Sequence, residues 1–96
     1  MKNQKIAQVL FEIGDLLDLQ EVPFKPEAYK KAAIAIDLLE DDISSIYEKE
    51  GLKGLEKIKG VGKSIALSIE EYLKTGKIVF YEQLKKESPV NLEELL

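Results

Sequence analysis

Three lysines and two glycines lie close together in the segment KIKGVGKS, residues 57 to 64. Glycines spaced as Gly60-x-Gly62 allow a sharp turn and let another backbone come close, because they carry no side chain. An apolar helical pattern begins at about Lys63, so the first amides of that helix lack partners within it. These amides, the positive end of the helix dipole and the neighbouring lysines all favour a phosphate group at the turn.

A site of this kind holds a sugar–phosphate backbone but does not distinguish bases, so it predicts sequence-independent, salt-sensitive binding of nucleic acid. The alternative is a glycine turn that only connects two helices. The apolar frame of the turn favours the phosphate site, since Ile58 precedes the glycines and Ala66 follows them. The residues predicted to contact the backbone are Lys57, Lys59, Gly60, Val61, Gly62, Lys63 and Ser64.

The composition of the 96 residues excludes several kinds of chemistry. The chain has no cysteine and no histidine, which rules out disulfides, thiolate zinc sites and a histidine general base. Its net charge is −4, but acidic residues predominate from 37 to 50 and lysines from 57 to 63. A second basic cluster consists of Lys25, Lys30 and Lys31. This distribution predicts separate acidic and basic sides, unless charges of both signs only solvate helix faces.

The apolar segments are short and interrupted by charged residues. None approaches the roughly 20 residues that span a bilayer, and the N-terminus lacks the apolar core of a signal peptide. We therefore expect an intracellular, cytoplasmic protein that is monomeric and has no membrane partner. The length predicts a single domain over residues 1–96, in which residues 88–96 could begin a linker to a following domain.

Apolar residues recur with helical spacing along nearly the whole chain, which predicts an all-α fold, a compact bundle of about five short helices. A first helix is expected near residues 4–19, with Asn3 as its N-cap. Pro26 suits the first turn of a second helix. Either Asp41 or Asp42 is expected to cap a third helix.

Helix-ending residues divide the second half of the chain. Gly51 is expected to end the third helix, and a short helical piece follows it before the glycine turn. The next helix is predicted over residues 63–75 and should end at Gly76 in the left-handed conformation. One more helix is expected before Ser88-Pro89, and Asn91 suits the N-cap of a further one.

The glycine turn and the segments around it resemble a known family. An apolar residue followed by x-Gly-x-Gly-x-x-x-Ala, here Ile58 to Ala66, is similar to the helix-hairpin-helix motif of non-specific DNA-binding proteins. The segments PFKPEAYKKAA and LEKIKGVGKSIALSIEEYLKTGKI extend the resemblance. Together they resemble the N-terminal helix-hairpin-helix domain of family X DNA polymerases, the family of DNA polymerase beta, over residues 5–96. The segment SPVNLEELL is similar to the family's connection to a second such motif.

This resemblance implies a role in DNA repair. In family X polymerases the domain binds gapped or nicked DNA on its 5′-phosphate side. The expected partners are therefore DNA with a gap, a nick or a single-strand/duplex junction, and further domains of a polymerase chain. The phosphate pocket of the family corresponds to Lys25 and Tyr29, to which the neighbouring Lys30 is added.

The resemblance also implies a metal site without a required cofactor. The hairpin of the family can hold a monovalent cation through backbone carbonyl groups. By position, these carbonyls belong to Glu56, Ile58 and Val61. We therefore expect that Na⁺ or K⁺ can bind at the hairpin.

Several family members also remove a 5′-deoxyribose phosphate through a Schiff base with a lysine. The resemblance assigns the nucleophile position to Ser68 and two supporting basic positions to Ser64 and Phe80. Serine cannot form an imine, so no catalytic residue is predicted.

Two alternatives remain open at this point. One is residual 5′-deoxyribose-phosphate lyase activity through a displaced lysine, Lys63. The other is a helical protein-interaction module without DNA binding, which the acidic net charge suggests. The sequence predicts no polymerase catalytic domain, so the chain alone is not expected to be an enzyme.

Overall fold

Five α-helices account for most of residues 2–87, the part of the chain that the computed structural model describes. The helices are α1 (Lys2–Leu19), α2 (Lys25–Asp37), α3 (Ile43–Glu56), α4 (Lys63–Thr75) and α5 (Val79–Glu87). No strand occurs in this range, so the predicted all-α fold is confirmed. None of these helices is both long and apolar enough to cross a membrane. The predictions for Ser88-Pro89, for Asn91 and for a linker over residues 88–96 lie outside the described residues.

Helices α1 and α2 form the centre of the core. Their inward-facing residues recur every three or four positions, and the completely buried ones among them are Ile6, Leu10, Ile13, Ala32, Ala33 and Ile36. The two small alanines let the helix axes come close, while each buried leucine or isoleucine contributes about 1.5–3 kcal/mol. Helices α3, α4 and α5 complete the core around this pair with Leu55, Ile65, Ala66, Ile69 and Leu84.

The prediction that Asn3 caps α1 is wrong, because Asn3 lies inside α1 and its side chain reaches the start of α3. Its Oδ1 accepts a hydrogen bond from the amide of Ile43 at 2.8 Å, and its Nδ2 donates to the carbonyl of Asp41 at 2.8 Å. The Asn3 side chain, 3% exposed, therefore satisfies an amide at the N-terminus of another helix. Local sequence could not indicate a partner 40 residues away.

The predicted beginning and interruption of α3 are both present. Asp42, one of the two predicted caps, accepts a hydrogen bond from the amide of Ser44 at 2.9 Å. The hydrogen bonds from Ser44 lower the pKa of the Asp42 carboxyl. Gly51 has a φ of 66° and a ψ of −152°, which divides α3 into two helical pieces. Helix α4 matches its predicted range, and Gly76 ends it with a φ of 83°.

Two tyrosine hydroxyls connect the outer helices to their neighbours. Tyr47 of α3 donates to the carboxylate of Glu70 of α4 at 2.6 Å. Tyr81 of α5 donates to the carboxylate of Glu12 of α1, and burial together with Glu12 raises the pKa of Tyr81. Both rings pack against the core, so these tyrosines fill the core with the ring and pair the hydroxyl at its edge.

Replacement of Asn3 by alanine tests the contact between α1 and α3. The substitution leaves the buried amide of Ile43 without its acceptor, so we expect Asn3→Ala to lower the free energy of unfolding by about 1–3 kcal/mol. The measurement is urea denaturation followed by circular dichroism. Gln4 is the next residue of α1 and its side chain is exposed. The free energy of unfolding of Gln4→Ala should therefore stay within about 0.5 kcal/mol of that of the parent protein. Equal stability of the two variants would contradict a structural role for the Asn3 side chain.

Candidate functional site

The glycine turn connects α3 to α4 and is held in place by one buried side chain. The amide of Ile58 donates to the carbonyl of Leu55 at 3.2 Å, and the amide of Val61 donates to the carbonyl of Ile58 at 3.0 Å. Val61 lies between the two glycines and is 5% exposed. Because Val61 points into the core, the residues on either side of it are on the surface. The turn is therefore fixed on its core side by Val61 and accessible to a ligand on its solvent side.

The two glycines of the turn have different structural roles. Gly60 has a φ of 95°, a conformation that disfavours any residue with a side chain. It also packs on α2, because a Cβ at this position would lie 3.6 Å from the Cβ of Ala35 and 3.7 Å from the carbonyl oxygen of Lys31. Gly62 has an ordinary φ of −84°, and a Cβ there would meet no atom within 4 Å. The backbone conformation thus favours glycine at Gly60, whereas the space around Gly62 is open and would accommodate a side chain.

Gly62 is also the N-cap of α4, and no side chain caps this helix. The Gly62 carbonyl accepts from the amide of Ala66 at 2.9 Å, but the amides of Lys63 and Ser64 donate to no backbone acceptor among residues 2–87. Uncapped amides at a helix N-terminus carry partial positive charge. This end of α4 is therefore able to bind an anion through its backbone.

The lysines of the turn surround these amides with positive charge. Lys59 and Lys63 are exposed. Lys57 is paired with Glu50, with 3.3 Å between Nζ and Oε1, and both side chains are largely exposed. An exposed pair of this kind is worth about 0–1 kcal/mol, so an anionic ligand can compete with Glu50 for Lys57.

A second predicted cluster lies where α2, α4 and α5 meet. Tyr29 is 7% exposed, its hydroxyl lies beside those of Ser64 and Ser68, and its ring centroid is 6.2 Å from that of Phe80. Burial raises the pKa of Tyr29, and the nearby hydroxyls of Ser68 and Ser64 partly offset this shift. The structure therefore brings Ser64, Ser68 and Phe80, the three positions at which the family resemblance placed basic residues, around one neutral tyrosine.

Lys25 and Lys30, near the start of α2, face different surroundings. Lys25 is exposed at the helix N-terminus. Lys30 contacts α1 instead, with its Nζ 2.6 Å from Asp18 and 3.3 Å from Asp15, and the hydrogen bond with Asp18 raises its pKa. The structure thus gives Lys30 a structural role between two helices, and its predicted contact with a phosphate stays a prediction.

Phe24 is a candidate functional residue that sequence analysis missed. Its ring is 88% exposed, and its φ of 69° and ψ of −39° are unusual for a residue with a side chain. The amide of Lys25 donates to the carbonyl of Pro23 at 2.8 Å across Phe24, which makes a strained γ-turn. Strain of this kind costs about 1–3 kcal/mol and is concentrated at binding sites. The only signal in the sequence is an aromatic residue between Pro23 and Pro26, outside any apolar helical pattern.

The carbonyl groups predicted to hold a cation differ in their hydrogen bonds. The Ile58 carbonyl accepts the amide of Val61 and keeps one lone pair free. Across residues 2–87, no backbone amide outside the helices donates to the carbonyl of Glu56 or Val61. Carbonyl oxygens with free lone pairs are suitable ligands for a hard cation, so the chemistry of these residues fits the predicted monovalent ion.

Comparison with known proteins gave two matches. A family model described as a helix-hairpin-helix domain matches residues 1–78. The DNA polymerase/3′-5′ exonuclease PolX of Bacillus subtilis (strain 168) is 36% identical over 97 residues. This alignment covers the whole chain and 16% of the polymerase, in its N-terminal part. The chain thus spans a small part of the length of this relative.

Alanine substitutions of the two glycines should separate their roles in folding. Gly60→Ala forces a side chain into the left-handed region, so we expect it to lower the free energy of unfolding by about 1–2 kcal/mol. Gly62→Ala needs no change of backbone or neighbours, so its free energy of unfolding should stay within about 0.5 kcal/mol of the parent or rise slightly. Urea denaturation of both variants measures the difference. If the two variants are equally stable, the left-handed conformation of Gly60 does not constrain the turn.

Proposed function

Because the chain belongs to the helix-hairpin-helix domain family, whose model matches residues 1–78, we propose that it binds DNA through the sugar–phosphate backbone. The observation that carries this proposal is the uncapped N-terminus of α4 beside exposed Lys59 and Lys63. The amides of Lys63 and Ser64 donate to phosphate oxygens, and the lysines supply the charge. Contacts of this kind do not depend on base sequence and weaken as salt is added. The similarity to a DNA polymerase supports DNA as the ligand.

The second cluster is proposed to bind a 5′-phosphate at a gap or nick. Lys25 provides an exposed ammonium group at the N-terminus of α2, where the helix dipole also favours an anion. Tyr29 follows Lys25 by four residues in α2, and its hydroxyl lies near those of Ser64 and Ser68. Each of these hydroxyls can donate a hydrogen bond to a phosphate oxygen. Ser64 belongs to both clusters, because its amide is one of the uncapped amides of α4 and its hydroxyl lies near that of Tyr29. A chain that holds both features would act in DNA repair as the N-terminal part of a polymerase-like protein.

The same cluster argues for binding without cleavage. A Schiff base requires a primary amine next to the aldehyde carbon. The side chains that surround the Tyr29 hydroxyl and ring are two hydroxyl groups and a phenyl ring. Lys63, the displaced lysine considered above, precedes Ser64 by one residue on α4 and therefore projects about 100° away from it. We accordingly propose that the phosphate is held and the sugar is not attacked.

A monovalent cation at the hairpin would support the same contact. The carbonyls of Glu56, Ile58 and Val61 would supply the ligands, and the ion would place one more positive charge beside the DNA backbone. Its contribution adds to that of the α4 amides and does not replace it.

Phe24 is proposed to stack on an exposed base next to the phosphate pocket. The ring lies one residue before Lys25 and is almost fully exposed, so it can cover a base that a gap or nick leaves unpaired. Stacking on an aromatic ring tolerates any base, which agrees with sequence-independent binding. This contact would also explain why the chain retains a strained residue at this position.

Binding is tested by fluorescence anisotropy with a gapped duplex that carries either a 5′-phosphate or a 5′-hydroxyl. We expect the affinity to fall with salt, with a slope of roughly 0.9 per contacted phosphate, and to be higher for the 5′-phosphate. Lys25→Ala should remove most of the preference for 5′-phosphate, because it removes the ammonium group at that end. Gly62→Ala should weaken binding to both DNAs, because its methyl group obstructs the approach of the backbone to an otherwise intact turn.

Lys49→Ala is the matched control for the loss of one positive charge. Lys49 of α3 lies near Asp41, Asp42 and Glu50, in acidic surroundings that do not favour a phosphate. The affinity of this variant should equal that of the parent protein. The protein-interaction alternative holds if affinity for all these DNAs is negligible and Lys59→Glu leaves it unchanged.

Phe24→Gly should change stability and binding in opposite directions. Glycine adopts the backbone conformation of this turn without strain, so the free energy of unfolding should rise by about 1 kcal/mol. Loss of the ring should weaken binding to gapped DNA by about fivefold to a hundredfold, the worth of one stacked base. The measurements are urea denaturation and the same anisotropy titration, with fully paired duplex as the control DNA. Unchanged affinity for gapped DNA would show that the ring does not contact a base.

A further inference from the structure

We propose that Glu50 is an internal competitor of DNA, which holds Lys57 away from the phosphates at the hairpin and thereby weakens binding. This inference rests on the proposed function, because it concerns the affinity of the same hairpin. It adds a residue that opposes binding, whereas the residues of the turn favour it. In the free protein, the carboxylate of Glu50 occupies the place beside Lys57 that a phosphate oxygen takes in the complex.

The contact between Glu50 and Lys57 connects the two helical pieces of α3. The Nζ of Lys57 lies 3.3 Å from the Oε1 of Glu50. Among residues 2–87, no other lysine has its ammonium group within 4 Å of this carboxylate. Lys57 is the C-cap of α3, and Lys59 of the turn follows it by two residues. The pair therefore neutralises the first of the lysines that surround the α4 amides.

The kink at Gly51 makes this pair possible. Glu50 and Lys57 are seven residues apart, which in an uninterrupted helix places them about 10 Å apart along the axis. Ion pairs on a helix form at spacings of three or four residues. Gly51 has a φ of 66° and a ψ of −152°, a conformation that favours glycine and interrupts the helix directly after Glu50. The interruption thus brings together two charges that a regular helix would keep apart.

Gly54 makes room for the Glu50 side chain. A Cβ at Gly54 would lie 2.6 Å from the Cβ of Glu50 and 3.1 Å from its Oε2, so a larger residue would displace Glu50. Gly54 is buried inside α3, where glycine destabilises a helix relative to alanine. Because the Glu50 side chain already lies against Gly54, it loses little freedom when it pairs with Lys57. Two glycines therefore hold the carboxylate in the position of a competitor.

A phosphate that approaches Lys57 has to displace this carboxylate. Both groups are anionic, so they repel each other when they share one ammonium group. The Lys57 side chain is 70% exposed, and an exposed ion pair is weak, so Glu50 lowers the affinity without excluding DNA. For Lys59 and Lys63 no carboxylate lies within 4 Å of the ammonium group among residues 2–87. The hairpin therefore holds DNA less tightly than its three lysines allow.

The test measures the binding of Glu50→Gln to a gapped, 5′-phosphorylated duplex by fluorescence anisotropy. Glutamine keeps the shape of the side chain and removes its charge. We expect the affinity to rise about twofold to fivefold at low salt, which corresponds to the worth of an exposed ion pair. This gain should shrink as salt is added, because salt screens the pair between Glu50 and Lys57 in the parent protein.

Glu48→Gln is the matched control for the loss of one negative charge. Glu48 is exposed on the same helical piece, and within residues 2–87 no lysine ammonium group lies within 4 Å of its carboxylate. Its substitution should raise the affinity less than Glu50→Gln does. In the Lys57→Ala background, the two substitutions should have equal effects, because the ammonium group for which Glu50 competes is absent. Circular dichroism verifies that each variant is folded.

The outcomes separate this inference from the proposed function. If Glu50→Gln weakens binding, Glu50 positions Lys57 for DNA and does not compete with it. If Glu50→Gln and Glu48→Gln raise the affinity of the parent protein equally, only net charge matters and the competition is wrong, while the proposed function stands. If neither the parent protein nor Glu50→Gln shows salt-dependent binding, the proposed function fails and the inference fails with it. A gain that disappears in the Lys57→Ala background supports the competition.

Discussion

The packing of Gly60 on α2 is the contact on which the candidate binding surface depends. At this point a backbone in the left-handed conformation lies against the carbonyl of Lys31 and the methyl group of Ala35. The contact sets the position of the turn, and the turn sets where α4 begins. Because Val61 is buried next to it, the turn cannot rotate without moving a core residue. The uncapped amides of α4 therefore have a fixed direction relative to α2, as a preorganised binding site requires.

The same contact unites features that are distant in the chain. Lys25 and Tyr29 lie in the first half of α2, and Ser64 and Ser68 lie in the first two turns of α4. Once the turn is packed on α2, the hydroxyls of Ser64 and Ser68 lie near that of Tyr29. Burial raises the pKa of Tyr29, and the protonated phenol can donate to an anion. A site of neutral hydroxyls beside lysines is suited to holding a phosphate, and it has serine, which cannot form an imine, at the position where the family resemblance places the nucleophile.

Sequence predicted best what depends on neighbouring residues. The range of α4, the left-handed Gly76, the break at Gly51 and the cap at Asp42 follow from local preferences for glycine and aspartate, and the structure contains them all. Sequence failed where a distant contact decides the role of a residue. Asn3 has the chemistry of an N-cap, but it serves α3 because the fold brings Ile43 to it. The strain at Phe24 depends on a turn that no local pattern indicates. The Gly-x-Gly pattern likewise does not show that Gly60 lies beside another helix whereas Gly62 does not.

The partners of the lysines explain how a chain of net charge −4 can still bind an anionic polymer. Lys30 is used within the fold, where Asp15 and Asp18 neutralise it between α1 and α2. Lys59 and Lys63 gather around the turn without a carboxylate partner among residues 2–87. At physiological salt, charges interact over about 8 Å, so a phosphate at the hairpin is affected by the nearby lysines far more than by acidic residues on remote helices. The local balance of charge, and not the net charge, is therefore the quantity that determines binding.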